Sequence, residues 1–104
     1  MDNETLVIAL INQHFLLTKK LDELPGSGAS ARPVRRMREL LEEDGFVWLD
    51  PTGEPYSESR TDMEASLSGE GQGPYTIVEV LKPVIYRKEG DQTRLLQKGV
   101  VIAE

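Results

Sequence analysis

Apolar residues recur at helical spacing from Asn3 to Leu24. Leu6, Leu10, Leu17, Leu21 and Leu24 share one stripe of a helical wheel, and Val7, Ile11 and Phe15 widen it sideways. The resulting sector is about twice the ~100° of a surface helix with one neighbour. Such a helix needs two neighbours. The pattern predicts a chain–chain interface, most simply a two-fold bundle, ahead of a helix that buries both flanks on its own β-module. Leu6, Leu10, Ile11, Phe15 and Leu17 are the predicted dimer-interface residues. Pro25 stops this helix, and Pro25 to Ala31 reads as a flexible glycine- and serine-rich joint. A second helix is expected from Ser30 as N-cap, with Pro33 in its first turn, to a glycine stop at Gly45. Val34, Met37, Leu40 and Leu41 line one of its faces.

The period then changes. Phe46 to Leu49 is a short apolar run closed by Asp50-Pro51-Thr52-Gly53, which predicts a strand and a turn. Glu54 to Tyr56 reads as extended. Residues 57–73 read as mostly loop, with an alternating Met63, Ala65 and Leu67 as a possible short strand. Tyr75 to Leu81 predicts a strand. Pro83 separates it from Val84 to Arg87, expected as an edge segment or one that follows a bulge. Glu89 to Gln92 reads as a turn. Thr93 to Leu96 and Val100 to Ala103 are expected to finish the sheet and tie down the C-terminal end. The predicted class is α+β: a helical pair over residues 1–45, serving oligomerisation, and a small β-domain over residues 46–104.

Charge sharpens the second helix. Arg32, Arg35, Arg36 and Arg38 crowd its N-terminal end, and Glu42, Glu43 and Asp44 its C-terminal end. This order opposes the helix dipole, where the reverse gains ~0.3–1 kcal/mol per charge. Pairs such as Arg35–Glu39 and Arg38–Glu42 are expected to recover part of the cost. The simplest reading is a solvated face; an arginine surface kept for another partner is the alternative.

Composition bounds the function. The chain has 104 residues and a net charge of −6, which argues against nucleic acid as the main partner. It has no cysteine, so thiolate metal sites, disulfides and cysteine nucleophiles are excluded. No apolar run approaches the ~20 residues of a membrane span, and no signal-peptide pattern stands at the start, so a cytoplasmic location is expected. The single histidine, His14, lies between the apolar stripes of the first helix, where burial is the ordinary outcome. Asp50 and Glu54 flank a turn and serve it more simply than they form a catalytic pair. Gly69, Gly71 and Gly73 do not lie between a strand and a helix, so they form no phosphate cradle. The residues therefore point to no enzyme, no cofactor and no metal.

Three segments carry a family resemblance. L-L-E-E-D-G-F-V-W-L-D-P-T-G-E-P-Y runs from Leu40 to Tyr56, T-I-V-E-V-L from Thr76 to Leu81, and R-L-L-Q-K-G-V-V-I-A from Arg94 to Ala103. In order and spacing they resemble the GrpE family, nucleotide exchange factors of DnaK-type chaperones. Met63 stands before Glu64-Ala65 where the family usually has His-Glu-Ala. Pro83 and Ile85-Tyr86 stand near the family's Gly-Tyr. Residues 3–24 correspond to the short bundle helix beside the β-domain, and the family's long coiled-coil helix has no counterpart, so the resemblance is to a compact or divergent member. It implies a homodimeric co-chaperone of protein folding and the stress response. Its β-domain would dock on the ATPase domain of a DnaK-type chaperone, open the nucleotide cleft and release ADP. It implies Arg94 as the contact to an acidic patch, with Leu81, Val101 and Ala103 as apolar partner-binding positions beside it. An exchange-inactive adaptor that assembles through its helices is the alternative.

Overall fold

A computed structural model describes residues 2–26, 28–69 and 73–104. Gly71, within the predicted polar loop, and Ser27, within the joint, lie outside the described residues. The chain folds as two N-terminal helices followed by short strands in two sheets, an α+β fold.

Helix α1 spans Asn3–Asp22. Asp2 caps it, its carboxylate accepting from the Thr5 amide at 2.7 Å, and Lys19 and Lys20 complement the dipole in the last turn. Helix α2 spans Gly28–Glu43. It begins before the expected Ser30 cap, so Ser30 lies inside the helix and the joint is shorter than predicted. Ala29 and Ala31 favour the helical state. Pro33 therefore falls in the second turn, where its missing N–H removes one helix hydrogen bond.

The strands are β1 (Phe46–Leu49), β2 (Pro55–Tyr56), β3 (Met63–Leu67), β4 (Tyr75–Lys82), β5 (Val84–Glu89), β6 (Gln92–Gln97) and β7 (Gly99–Ala103). They form two sheets, not one: β1-β5-β6 and β2-β4-β7-β3. All neighbours run antiparallel except β3 and β7, which pair in parallel from Met63↔Gly99 to Leu67↔Ala103. Of the two expectations for Val84 to Arg87, the preceding bulge is present, at Val80/Lys82 of β4, and the edge position is not. β5 is the central strand of its sheet, paired with β1 and β6. Pro83, which cannot donate to a ladder, sits between β4 and β5, outside both. The irregular register falls mainly on β4, at Ile77/Glu79 and Val80/Lys82.

Two glycines are required by geometry. Gly45 ends α2 at φ +93°, and a Cβ there would stand 2.6 Å from the Lys88 carbonyl oxygen. Gly99 lies where the two sheets meet, and a Cβ there would stand 2.8 Å from Val84 Cγ2.

One core joins helices and strands. Ile11 and Phe15 of α1 pack with Phe46, Trp48, Met63, Ile77, Val80, Val84, Ile85 and Val101. This core crosses the boundary drawn at residue 45. Cations seated on its aromatic rims reinforce the join: Lys19 over Phe15, Arg38 over Trp48 and Arg87 over Phe46, each 4.5 Å from the ring centre. Lys19 also donates to the Val80 carbonyl at 2.6 Å, beside a bulge in β4. Asn12 and Gln97 exchange two amide hydrogen bonds of 2.9 Å, and Gln97 donates a further one to Pro83. These bonds hold α1 across β6 and the start of β5.

Candidate functional site

Two surfaces carry the predicted site residues. The first is on the β-domain. Alternation along β7 turns Gly99, Val101 and Ala103 into the core and leaves Val100 and Ile102 half-buried on the other side. Val101 and Ala103 are fully buried, so they support the sheet from beneath and present nothing to a partner. Leu81 on neighbouring β4 is 48% exposed, and Val78 on the same strand is exposed as well. Of the three predicted apolar contacts, Leu81 alone is on the surface.

Arg94 lies on β6, in the other sheet. Two of its guanidinium nitrogens donate to the two oxygens of Glu4, at 3.1 and 2.6 Å, and it also donates to Glu89 at 2.7 and 3.0 Å. Arg87 joins Glu4 from the side at 3.5 Å and reaches Asp44 at 3.4 Å. Arg94 holds the Glu4 carboxyl below the usual carboxylate range, with Arg87 adding to the effect. Glu4 in turn pushes the Arg94 pKa upward, with Glu89 second. The predicted four-residue contact set is therefore not a single patch. Arg94 fastens the first turn of α1 to the β5–β6 hairpin, while Leu81 faces solvent on the four-stranded sheet.

The second surface is the helical pair. The wide apolar sector of α1 splits. Ile11 and Phe15 go into the chain's own core, while Leu6, Leu10 and Leu17 remain exposed, Leu10 at 53%. The five predicted interface residues thus divide between two roles. Leu10 and Leu17 form one wall of an open apolar groove of about 350 Å³. Met37, Leu40 and Leu41 of α2 form the other wall, and Gln13 and His14 contribute to its lining. His14 itself is buried. Its Nε2 donates to the Val34 carbonyl at 2.8 Å, its Nδ1 has no hydrogen-bond partner among the described residues, and its ring meets Trp48 edge-on at 5.4 Å. The histidine ties α2 to α1.

The remaining polar candidates serve local structure. Asp50 accepts from the Thr52 amide at 3.0 Å and hydroxyl at 2.6 Å, the expected turn chemistry. Glu54 and Asp62 hold Arg60. Arg60 in return lowers the Asp62 pKa, chiefly by hydrogen bonding. Arg38 pairs with Glu42 at 3.1 Å as expected, but Glu39 is taken by Arg36, not Arg35. Among the described residues no three His, Cys, Asp or Glu side chains converge on a metal-sized site, and no helix is long and apolar enough to cross a membrane.

Sequence reasoning missed Met37 and Leu40 as groove residues that face solvent together with Leu10 and Leu17. Their helical spacing was visible, but the side on which the β-domain would cover them was not. No family model, curated protein or solved structure matches this chain.

Proposed function

We propose that this chain is a GrpE-like exchange factor, a non-enzymatic regulator that binds the ATPase domain of a DnaK-type chaperone and promotes ADP release. The observation that carries the reading is the meeting of the three resembling segments around β4. Pro55–Tyr56 pairs with Tyr75–Thr76 on one side of that strand, and β7 pairs with it on the other. The turn at Gly53 is bonded into the same strand through Ile77. Segments far apart in sequence thus assemble one unit whose solvent face carries Leu81 and Val78.

Such a factor works by shape. It binds the open form of the chaperone lobe better than the closed form and shifts the population by that difference. Leu81 is the apolar contact in this reading. Arg94 serves an acidic patch on the chaperone only by exchanging Glu4 or Glu89 for a partner carboxylate. The regulator is cytoplasmic and acts as a homodimer joined through its helices.

The test is the release rate of a fluorescent ADP analogue from a DnaK-type ATPase domain at saturating protein. The expected result is faster release that Leu81→Asp reduces about fivefold or more, as for loss of a contact worth ~1–3 kcal/mol. An unchanged release rate overturns the proposal. The commitment of Arg94 to Glu4 and Glu89 favours a second reading, an exchange-inactive adaptor that keeps the fold and assembles through its helices. Binding to the ATPase domain without any effect on release would select it.

A further inference from the structure

A smaller pocket of about 110 Å³ lies where α1, α2 and β1 meet, and it shares no residue with the apolar groove. Phe15, Thr18, Lys19 and Asp22 stand at i, i+3, i+4 and i+7 of α1, so one face of the helix lines it. Arg38 of α2, Trp48 of β1 and Asp50 of the following turn complete it. Two cations and two carboxylates therefore surround the pocket, and they do not pair with one another. Lys19, Asp22 and Asp50 make no ion pair among the described residues, and Arg38 pairs through Nε with Glu42, which is not part of the lining. Other bonds hold the charges apart. Lys19 Nζ lies over the Phe15 ring and donates to the Val80 carbonyl at 2.6 Å. Arg38 lies over the Trp48 ring and gives Nη2 to the Trp48 carbonyl at 2.7 Å. The remaining Nζ protons and Nη1 of Arg38 make no hydrogen bond among the described residues. Asp50 Oδ1 accepts both bonds of its turn, and neither its Oδ2 nor the Asp22 carboxylate has a partner among the described residues.

We propose that this pocket binds a small amino-acid zwitterion, its carboxylate taken by Lys19 and Arg38 and its ammonium by Asp22 and Asp50. The balance of charge selects the class. A simple carboxylate sets its charge against Asp22 and Asp50, and a simple amine sets its charge against Lys19 and Arg38. An apolar molecule takes water from all four and returns nothing. A zwitterion satisfies both pairs at once. Size restricts the class further. The volume equals that of about four water molecules, enough for roughly five or six non-hydrogen atoms, as in glycine or alanine. The cationic heads are already fixed by rings and carbonyls, so binding costs little further side-chain ordering. A ligand this small with charge-assisted hydrogen bonds at both ends is expected to half-saturate the site at about 1 mM. Because the lining comes from both helices and from β1, the bound ligand ties the helical pair to the three-stranded sheet and stabilises the chain by mass action. The site uses none of the residues of the proposed chaperone contact and does not depend on nucleotide exchange.

Trp48 is the single tryptophan of the chain and lines the pocket, so its fluorescence reports on the site directly. The test titrates the full chain with glycine and with L-alanine at constant ionic strength, following Trp48 emission and the melting temperature together. Acetate and methylamine serve as the single-charge comparisons. A saturable change is expected for the amino acids, with a rise in melting temperature of roughly 5 °C at about tenfold excess over half-saturation. Acetate and methylamine should each bind at least about tenfold more weakly. Asp22→Asn removes one carboxylate that supports nothing else in the fold, so it should leave the far-ultraviolet circular dichroism unchanged and weaken glycine binding about tenfold or more. Three results overturn the proposal: no saturable change in either signal up to about tenfold above the expected half-saturation, acetate or methylamine binding as tightly as glycine, or an Asp22→Asn variant that is folded and binds glycine as the parent does.

Discussion

At the scale of single residues, stability at the join between helices and sheets rests on side chains that are both polar and packed. Arg38 is the clearest case. It stacks on Trp48, donates to the Trp48 carbonyl at 2.7 Å and pairs with Glu42. Arg38→Ala should lower the unfolding free energy by about 1–3 kcal/mol, and Arg38→Lys should recover only part of that, because an ammonium cannot stack and reach the carbonyl at once. Urea denaturation measures both. Gly45 is a harsher test. Its positive φ and its contact with the Lys88 carbonyl leave no space for a methyl group. Gly45→Ala should cost about 2–4 kcal/mol, from backbone strain and displacement of β5 together. The glycine stop was legible in the sequence. The approach of Lys88 was not, because it depends on β5 pairing with β1.

At the scale of elements, α1 is one helix with two apolar faces, and only one of them is occupied within the chain. Ile11 is fully buried, whereas its neighbour Leu10 is half-exposed. Ile11→Ala should therefore destabilise the chain by about 2–5 kcal/mol, whereas Leu10→Ala should change monomer stability by less than about 0.5 kcal/mol. Denaturation at low protein concentration separates the two, and equal losses would contradict this division of the helix. The sequence showed that the apolar sector was too wide for one neighbour. It placed all five residues, from Leu6 to Leu17, at one interface, because a wheel reports width and not which flank meets which partner. The strands behaved in a similar way. Nearly all of them were legible from alternation and turn residues, including the short Met63–Leu67 strand. Their pairing was not, since alternation marks two faces of a strand but says nothing of which strand lies beside it. Thus β5, expected as an edge segment or one that follows a bulge, follows the bulge in β4 and is central in its sheet, and β3 joins β7 in parallel.

At the scale of the whole molecule, ion pairs link the ends of the chain. Glu4 near the start binds Arg94 near the end, and Asp62 binds Arg60 in the connection before β3. Both carboxyl groups have pKa values lowered on folding by these arginines. Their contribution to stability is fully present above the ordinary carboxylate pKa of roughly 4 and is lost as pH falls through the depressed folded values. The melting temperature should therefore fall on acidification below about pH 4. Asp62→Asn should flatten that dependence relative to the parent chain. A parent whose melting temperature does not fall in this window would contradict the assignment. The same linkage bears on the proposed chaperone contact. Arg94 is exposed but engaged, so Glu4→Gln should strengthen any binding that uses Arg94 and leave binding through Leu81 unchanged; isothermal titration against an ATPase domain reads the difference.

The order of elements, the α+β class, the turn at Asp50–Gly53 and the burial of His14 follow from the sequence alone. Each depends on residue type and local spacing, and both act over a few residues. Tertiary structure decided the rest. It separated one expected sheet into two, turned Val101 and Ala103 inward, set Arg94 against Glu4 and divided the apolar face of α1 between a core and an open groove. These outcomes depend on which distant segments meet, and that is set by the shared packing of the whole chain.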